Sequence, residues 1–181
     1  TFGPRLAADD SDSQRGSRFR GSLALQQTLR VYLAGGMAVH FYVGKRVSHD
    51  LDAEFAGRVL LPTDLAVEIE GDEPVYFDTN FNPMFALVHE HYQRDAVPVD
   101  LGVAHIDLRL LAPVDLAVSK IARFADVDRE DIASLVAAGL TDAAAIAQRA
   151  REAATAYIGN PADIRHKIAL AVELAEAAAR R

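Results

Sequence analysis

Two short motifs combine residue types that could carry out phosphoryl chemistry. A glycine pair, Gly35-Gly36, follows a compact apolar run, and the triplet Asp50-Leu51-Asp52 comes later in the chain. Side chains two residues apart in a strand point to the same face, so Asp50 and Asp52 would present two carboxylates side by side. Close carboxylates repel each other unless a cation lies between them, and hard oxygen ligands suit Mg²⁺ or Mn²⁺.

The glycine pair would complement this carboxylate pair if it lies at a strand-to-helix turn. Because glycine has no Cβ, backbone N–H groups there can approach a triphosphate closely. Together the two motifs describe a phosphoryl- or nucleotidyl-transfer site, where metal ions activate the nucleophile and neutralise the leaving pyrophosphate. Each motif alone arises often by chance, and their order along the chain is the more specific signal.

Apolar periodicity and turn residues predict the elements that must position these motifs. A strand at 30–34 leads into the glycine pair, a short helix follows at 37–43, and a second strand covers 47–55. A polar tail at 1–21 precedes them. The other predictions for the front of the chain are helices at 23–28 and 63–69, a hairpin of strands at 75–78 and 85–92, and short strands at 97–101 and 105–111.

The second half of the chain differs in composition: it is rich in alanine, and its apolar residues recur with a helical period. Helices are predicted at 114–124, 129–138, 142–157 and from 161 to the end. No linker rich in Pro, Gly or Ser separates the halves. The predicted organisation is therefore a tail at 1–21 that is disordered or derived from the expression vector, an α/β core at 22–112 and a helical C-terminal region at 113–181 packed on that core.

Composition and charge limit the classes of function. The 181 residues are 50% hydrophobic and carry a net charge of −7, which argues against an extended nucleic-acid interface but not against a small phosphate-bearing substrate. No apolar run reaches the ~20 residues that cross a bilayer, and the first twenty residues lack an apolar signal core. With no cysteine, disulfides and thiolate zinc sites are excluded, and a cytoplasmic protein without membrane contact is expected.

The motifs also carry a family resemblance. Residues 33–38 (LAGGMA), the thirteen residues between Gly36 and Asp50, and the acid triplet itself resemble the nucleotidyltransferase (polymerase-beta-like) superfamily. Arg46 and Ser48 are similar to the Arg-x-Ser/Thr-x-Asp lead-in of one branch, which contains the nucleotidyltransferase toxins of bacterial toxin–antitoxin and abortive-infection systems. Segments 113–121 and 128–132 resemble that branch's lysine helix and downstream acid pair.

The resemblance implies an α+β fold, with a nucleotidyltransferase-like mixed sheet, flanking helices and a C-terminal helical bundle. It implies that Asp50 and Asp52 bind Mg²⁺ or Mn²⁺ and are catalytic, and that an NTP is the substrate. The acceptor could be a protein, an RNA end or a small molecule, and a cognate antitoxin or another protein is a candidate partner. The implied nucleotide-binding residues are Gly35, Gly36, Arg46, Ser48, Lys120, Asp128 and Asp131.

Within that set, Lys120 would reach the nucleotide phosphates as a catalytic residue, and Asp128 or Asp131 would orient it or shape the site. The alternative for Lys120 is a solvated helix lysine. The alternative for the two aspartates is that they are charges near a helix N-terminus, where the helix dipole stabilises them.

The superfamily also has a third carboxylate on an adjacent strand, and three acids compete for it. Glu90 is the first choice, because it would share a face with Ala86 and Val88 in the second hairpin strand; Asp100 and Asp107 also remain. His89 and His91 could ligate zinc, but without a third ligand they are better explained as packed or surface histidines.

Three functions compete. The first is an active enzyme that transfers a nucleoside monophosphate. The second is a metal-dependent phosphohydrolase with an Asp-x-Asp pair, which would carry Thr or Val where this chain has Glu54. The third is a non-catalytic module that binds a nucleotide or a partner through a degenerate nucleotidyltransferase fold.

Overall fold

A computed structural model describes residues 28–44, 50–57, 66–67, 75–78, 86–102 and 104–180. Residues 50, 66–67 and 75–78 are described by their backbone alone. The predicted tail at 1–21, nearly all of the predicted helix at 23–28, and the lead-in residues Arg46 and Ser48 lie outside the described residues.

Within the described residues, six strands form one mixed sheet at the front of the molecule, in the order β3-β4-β2-β1-β6-β5. The central strand β1 pairs antiparallel with β2 and parallel with β6, while β2 and β4 run parallel. The outer pairs β3–β4 and β5–β6 are antiparallel. The strands are β1 (Leu29–Leu33), β2 (Asp50–Phe55), β3 (Ala66–Val67), β4 (Val75–Asp78), β5 (Val97–Val99) and β6 (Ile106–Leu110).

The helices cover the sheet and form the back of the molecule. Helix α1 packs against α3 and α4, and α6 packs against α4 and α5. One apolar cluster runs from the central strand into these helices, and includes Val31, Leu33, Leu116, Ile121 and Ile132. The helices are α1 (Gly35–Val43), α2 (Tyr92–Asp95), α3 (Pro113–Ser119), α4 (Asp126–Ala137), α5 (Ala143–Ala153) and α6 (Pro161–Ala178).

Local signals explain where the C-terminal helices begin. The Asp142 carboxylate accepts a hydrogen bond from the Ala145 N–H at the start of α5, and Asn160 caps α6, which has Pro161 in its first turn. Both are standard N-terminal signals. In the described part of the chain, no helix has the length and apolar character needed to cross a membrane.

The structure confirms the α+β class, with a mixed sheet, flanking helices and C-terminal helices. Two local predictions are wrong. Residues 66–67 of the predicted helix 63–69 form strand β3, which pairs with β4. The hairpin is absent from the described residues, because β4 pairs with β2 and β3, while 86–91 are irregular and lead into α2.

Candidate active site

The glycine turn and the second strand meet at Gly35 and Asp52. The Ala34 N–H donates a 2.8 Å hydrogen bond to the Asp52 carbonyl, which ties the end of β1 to β2. Gly35 has φ +63, and a Cβ built there would lie 1.7 Å from Asp52 Oδ2 and 2.9 Å from Asp52 Cβ. Both the backbone conformation and the close approach therefore require glycine.

The first turn of α1 lies at this same point. Its N-cap, Ala34, makes no side-chain capping bond, and the first turn contains no acidic residue. The N–H groups of a first helical turn have no intrahelical acceptor, and the helix dipole adds positive potential there. The start of α1 is thus suited to bind an anion beside a carboxylate.

Backbone register places two more aspartates next to Asp52. Asp50 lies two positions earlier in β2, and Asp52 is the register partner of Asp78 in the parallel strand β4. Residues in register on paired strands share a face of the sheet, as do residues two apart in one strand. Among the side chains that the structure describes, no three acids or histidines surround one point; those of Asp50 and Asp78 are outside that set.

Asp78, on the strand beside β2, was not among the candidates for the third carboxylate. Asp78 directly follows an apolar stretch, Val75-Tyr76-Phe77. An acid at the end of a predicted strand could have indicated a site residue. Asp78 was not predicted to lie beside Asp52, because the hairpin prediction paired its strand with 85–92 and not with β2.

The structure places Glu90 away from a strand that neighbours β2. The strand predicted to carry it is not formed, and Glu90 lies at an exposed turn with its Oε1 3.7 Å from His91 Nε2. His89 beside it is buried, with Nε2 3.2 Å from Glu152 Oε2, and its Nδ1 accepts a hydrogen bond from the His91 N–H. Those contacts fit a packed histidine.

The structure also separates Asp100 and Asp107 from β2. Asp100 is exposed and accepts a 2.8 Å hydrogen bond from the Gly102 N–H in a turn. Asp107 lies on β6, on the other side of β1 from β2. It accepts hydrogen bonds from Arg30 and Arg109, and the bond from Arg30 contributes most to holding the pKa of Asp107 below its usual range.

Lys120, Asp128 and Asp131 are brought together between α3 and α4. Lys120 follows α3 and has only 7% of its side chain exposed. Its Nζ lies 2.8 Å from Asp131 Oδ2 and 3.8 Å from Asp128 Oδ1. The two aspartates are three residues apart in α4 and hence share a face, so the ammonium group is enclosed by carboxylates.

Asp128 is held by a second cation, Arg123. The Arg123 Nε and Nη2 each donate a 2.7 Å hydrogen bond to the Asp128 carboxylate, which also accepts from the Ala125 N–H at 2.9 Å. Burial alone would raise the pKa of Asp128, but these hydrogen bonds outweigh it and keep the pKa below its usual range.

The electrostatics of Arg123 involve both this cluster and Asp52 in β2. Its hydrogen bonds to Asp128 raise its pKa most, burial opposes them, and the negative charge of Asp52 is one of the further charges that raise it. Arg123 was not among the predicted site residues, although it is the one basic residue between segments 113–121 and 128–132, because no local pattern indicates its pairing with Asp128.

Comparison with known proteins gives one match. The family model described as "Nucleotidyltransferase of unknown function (DUF6036)" matches residues 22–177, a range that includes Gly35, Asp52, Asp78, Arg123 and Asp128. Searches of curated proteins and of solved structures return no match.

Proposed function

The chain belongs to the DUF6036 family of nucleotidyltransferases of unknown function, and we propose that it is an active, metal-dependent enzyme that moves a nucleoside monophosphate from an NTP to an acceptor. The observation that carries the proposal is the contact of Gly35 with Asp52. It sets a helix N-terminus suited to phosphate directly against a carboxylate in a strand that also carries Asp50.

The acidic residues fit a divalent cation. Asp52 contributes a carboxylate, and Asp50 and Asp78 occupy neighbouring positions on the same face by backbone register. Carboxylate oxygens are the donors that Mg²⁺ and Mn²⁺ prefer. When bound, such ions would activate the attacking group and neutralise the pyrophosphate that leaves.

The chain's own groups would bind and orient the triphosphate. First-turn N–H groups at Gly35 and Gly36 would donate hydrogen bonds to phosphate oxygens, which the absent Cβ of Gly35 allows. Lys120 is buried against Asp131. It would have to leave that carboxylate to reach phosphate, so in the free protein its role is to order the connection between α3 and α4.

The acceptor is an unidentified protein, RNA or small molecule. A net charge of −7 disfavours an acceptor that needs an extended nucleic-acid interface. By analogy with the toxin branch of the superfamily, we also propose that the protein is cytoplasmic and that a cognate antitoxin or another protein is its partner. A catalytically silent nucleotide-binding module is the competing outcome of the test below.

The test is transfer of label from NTPs into a cell extract with Mg²⁺ or Mn²⁺. Each NTP is supplied labelled at the α-phosphate or, in parallel, at the γ-phosphate. Transfer of the α-label alone is expected, because the nucleoside monophosphate moves and pyrophosphate leaves. Asp52→Asn and Asp78→Asn should abolish transfer, whereas Asp100→Asn, at an exposed turn, should retain it.

Two results would contradict this proposal. Transfer of the γ-label would indicate a phosphoryl transferase instead. Metal-dependent NTP binding without transfer of any α-label would favour the non-catalytic module.

A further inference from the structure

Arg123 is anchored on one edge and open to solvent on the other. It lies in the connection between α3 and α4, and 69% of its side chain is exposed. Nε and Nη2 are both engaged with Asp128 at 2.7 Å. A bidentate pair of this kind fixes the plane of the guanidinium group and leaves the opposite edge able to donate hydrogen bonds.

Asp128, which holds Arg123, is fixed in the protein interior. Only 2% of the Asp128 side chain is exposed, and the carboxylate is also hydrogen-bonded by the Ala125 N–H. Lys120 lies behind it at 3.8 Å. Since the guanidinium is already ordered, a ligand that contacts its open edge would lose little additional side-chain entropy.

Helix packing and electrostatics relate Arg123 to the glycine turn and Asp52. Helix α1, which begins beside Asp52, packs against both α3 and α4, the two helices that Arg123 connects. The charge of Asp52 also acts on Arg123. Lys120, by contrast, is 7% exposed and paired with Asp131, so Arg123 is the cation of this cluster that a ligand can reach.

We propose that Arg123 binds a phosphate of the nucleotide through its open edge, and that Asp128 is the positioning residue that holds Arg123 for this contact. The inference rests on the proposed function and adds a phosphate-binding residue to it. A guanidinium suits the role because it stays charged and its donors match phosphate geometry.

The test uses tripolyphosphate with Mn²⁺, a probe that needs no knowledge of the base. Binding is measured by calorimetry on the full chain for wild type, Arg123→Gln and Arg123→Lys. The matched control is Arg129→Gln, because Arg129 is also exposed, also paired with an aspartate, Asp126, and lies in the first turn of α4. Thermal unfolding without ligand confirms that each variant is folded.

Arg123→Gln should weaken binding by about tenfold or more, the loss of one charge-assisted contact. Arg123→Lys should recover part of it, and Arg129→Gln should bind like wild type. Once Arg123 is replaced, adding Asp128→Asn should cause no further loss, because a positioning residue acts through the group it holds.

The outcomes separate this inference from the proposed function. If wild type binds tripolyphosphate and Arg123→Gln binds equally well, Arg123 is not a phosphate contact, although the proposed function stands. If Asp128→Asn weakens binding equally with and without Arg123, the positioning role is wrong. If wild type binds neither tripolyphosphate nor any NTP with Mg²⁺ or Mn²⁺, the proposed function fails and this inference with it.

Discussion

Two buried aspartates in this protein each bind an arginine with the same geometry, and the two arginines differ in their other contacts. Asp128 holds Arg123 through two hydrogen bonds of 2.7 Å, and Asp115 holds Arg149 through bonds of 2.7 and 2.8 Å. Arg149 is only 15% exposed and also contacts Asp95 at 2.8 Å. Arg123 is mostly exposed and lies within the electrostatic influence of the site.

This difference between Arg123 and Arg149 shows that the same type of ion pair can either stabilise the fold or position an arginine for a ligand. Arg149 in α5 donates from Nε and Nη2 to Asp115 in α3, and its Nη2 also donates to Asp95 in α2, so two carboxylates inside the protein share its donors. Arg123 uses a single edge. An arginine that is held by a buried acid but still has donors exposed to solvent can bind a ligand. The predictions that follow test this distinction.

Arg149→Gln should have the largest effect on folding. It leaves Asp115, which has no exposed side-chain surface, without its cation, and such a loss costs about 3–5 kcal/mol. Urea unfolding measures the change, with Arg151→Gln, on the exposed side of α5, as the control. Tripolyphosphate binding by the folded fraction should equal that of wild type. If Arg149→Gln loses no more stability than Arg151→Gln, the proposed contrast between the two arginines is wrong.

Gly35→Ala should come next and should affect both folding and binding. Gly44→Ala at the other end of α1 is the matched control, because Gly44 also has a positive φ but has open space where a Cβ would be. The clash with Asp52 should make Gly35→Ala less stable than Gly44→Ala by about 1–3 kcal/mol. Equal stability and equal NTP binding in the two variants would contradict the close approach at the site.

Arg123→Gln should destabilise the fold by only about 1 kcal/mol or less, the usual value for an exposed ion pair. Asp128 retains the Ala125 N–H and the nearby Lys120 ammonium. The same denaturation experiment as for Arg149→Gln gives the comparison directly. A loss as large as that of Arg149→Gln would mean that Arg123 is a structural residue.

The smallest effect concerns acid stability. Hydrogen bonds from Arg94 and Arg149 lower the pKa of Asp95 from 3.8 to about 2. A depressed pKa contributes stability above the unfolded value, and this is lost as the pH falls from about 4 towards 2. Asp95→Asn should therefore flatten the stability profile in that window; an unchanged slope would show that the pair contributes nothing.

Sequence reasoning succeeded where the determinants are local. The glycine turn, the helix after it and the strand with Asp52 are contiguous in the chain, and their order predicted that they meet. The C-terminal helices were recognisable from apolar periodicity and from caps such as Asp142 and Asn160. The family resemblance implied that Asp128 or Asp131 orients Lys120, and in the structure Lys120 forms its shorter ion pair with Asp131.

Apart from the helix predicted at 63–69, the wrong predictions depend on non-local pairing. Strand β4 was paired with a neighbour along the chain, whereas it lies beside β2 in a parallel pair, which needs a long crossover connection that no short pattern reveals. That error concealed Asp78 and gave preference to Glu90. The bidentate pairing of Arg123 with Asp128 depends on the course of the connection between α3 and α4, which no apolar period or capping motif predicts.

The most direct test of the account is NTP binding by wild type and Asp52→Asn, measured by calorimetry with and without Mg²⁺ or Mn²⁺. The account predicts that wild type binds an NTP only with a divalent cation. It predicts that Asp52→Asn remains folded and loses this binding, while Asp100→Asn binds like wild type. Binding that needs no cation, or that survives Asp52→Asn unchanged, would contradict a metal-dependent nucleotidyltransferase site at Gly35 and Asp52.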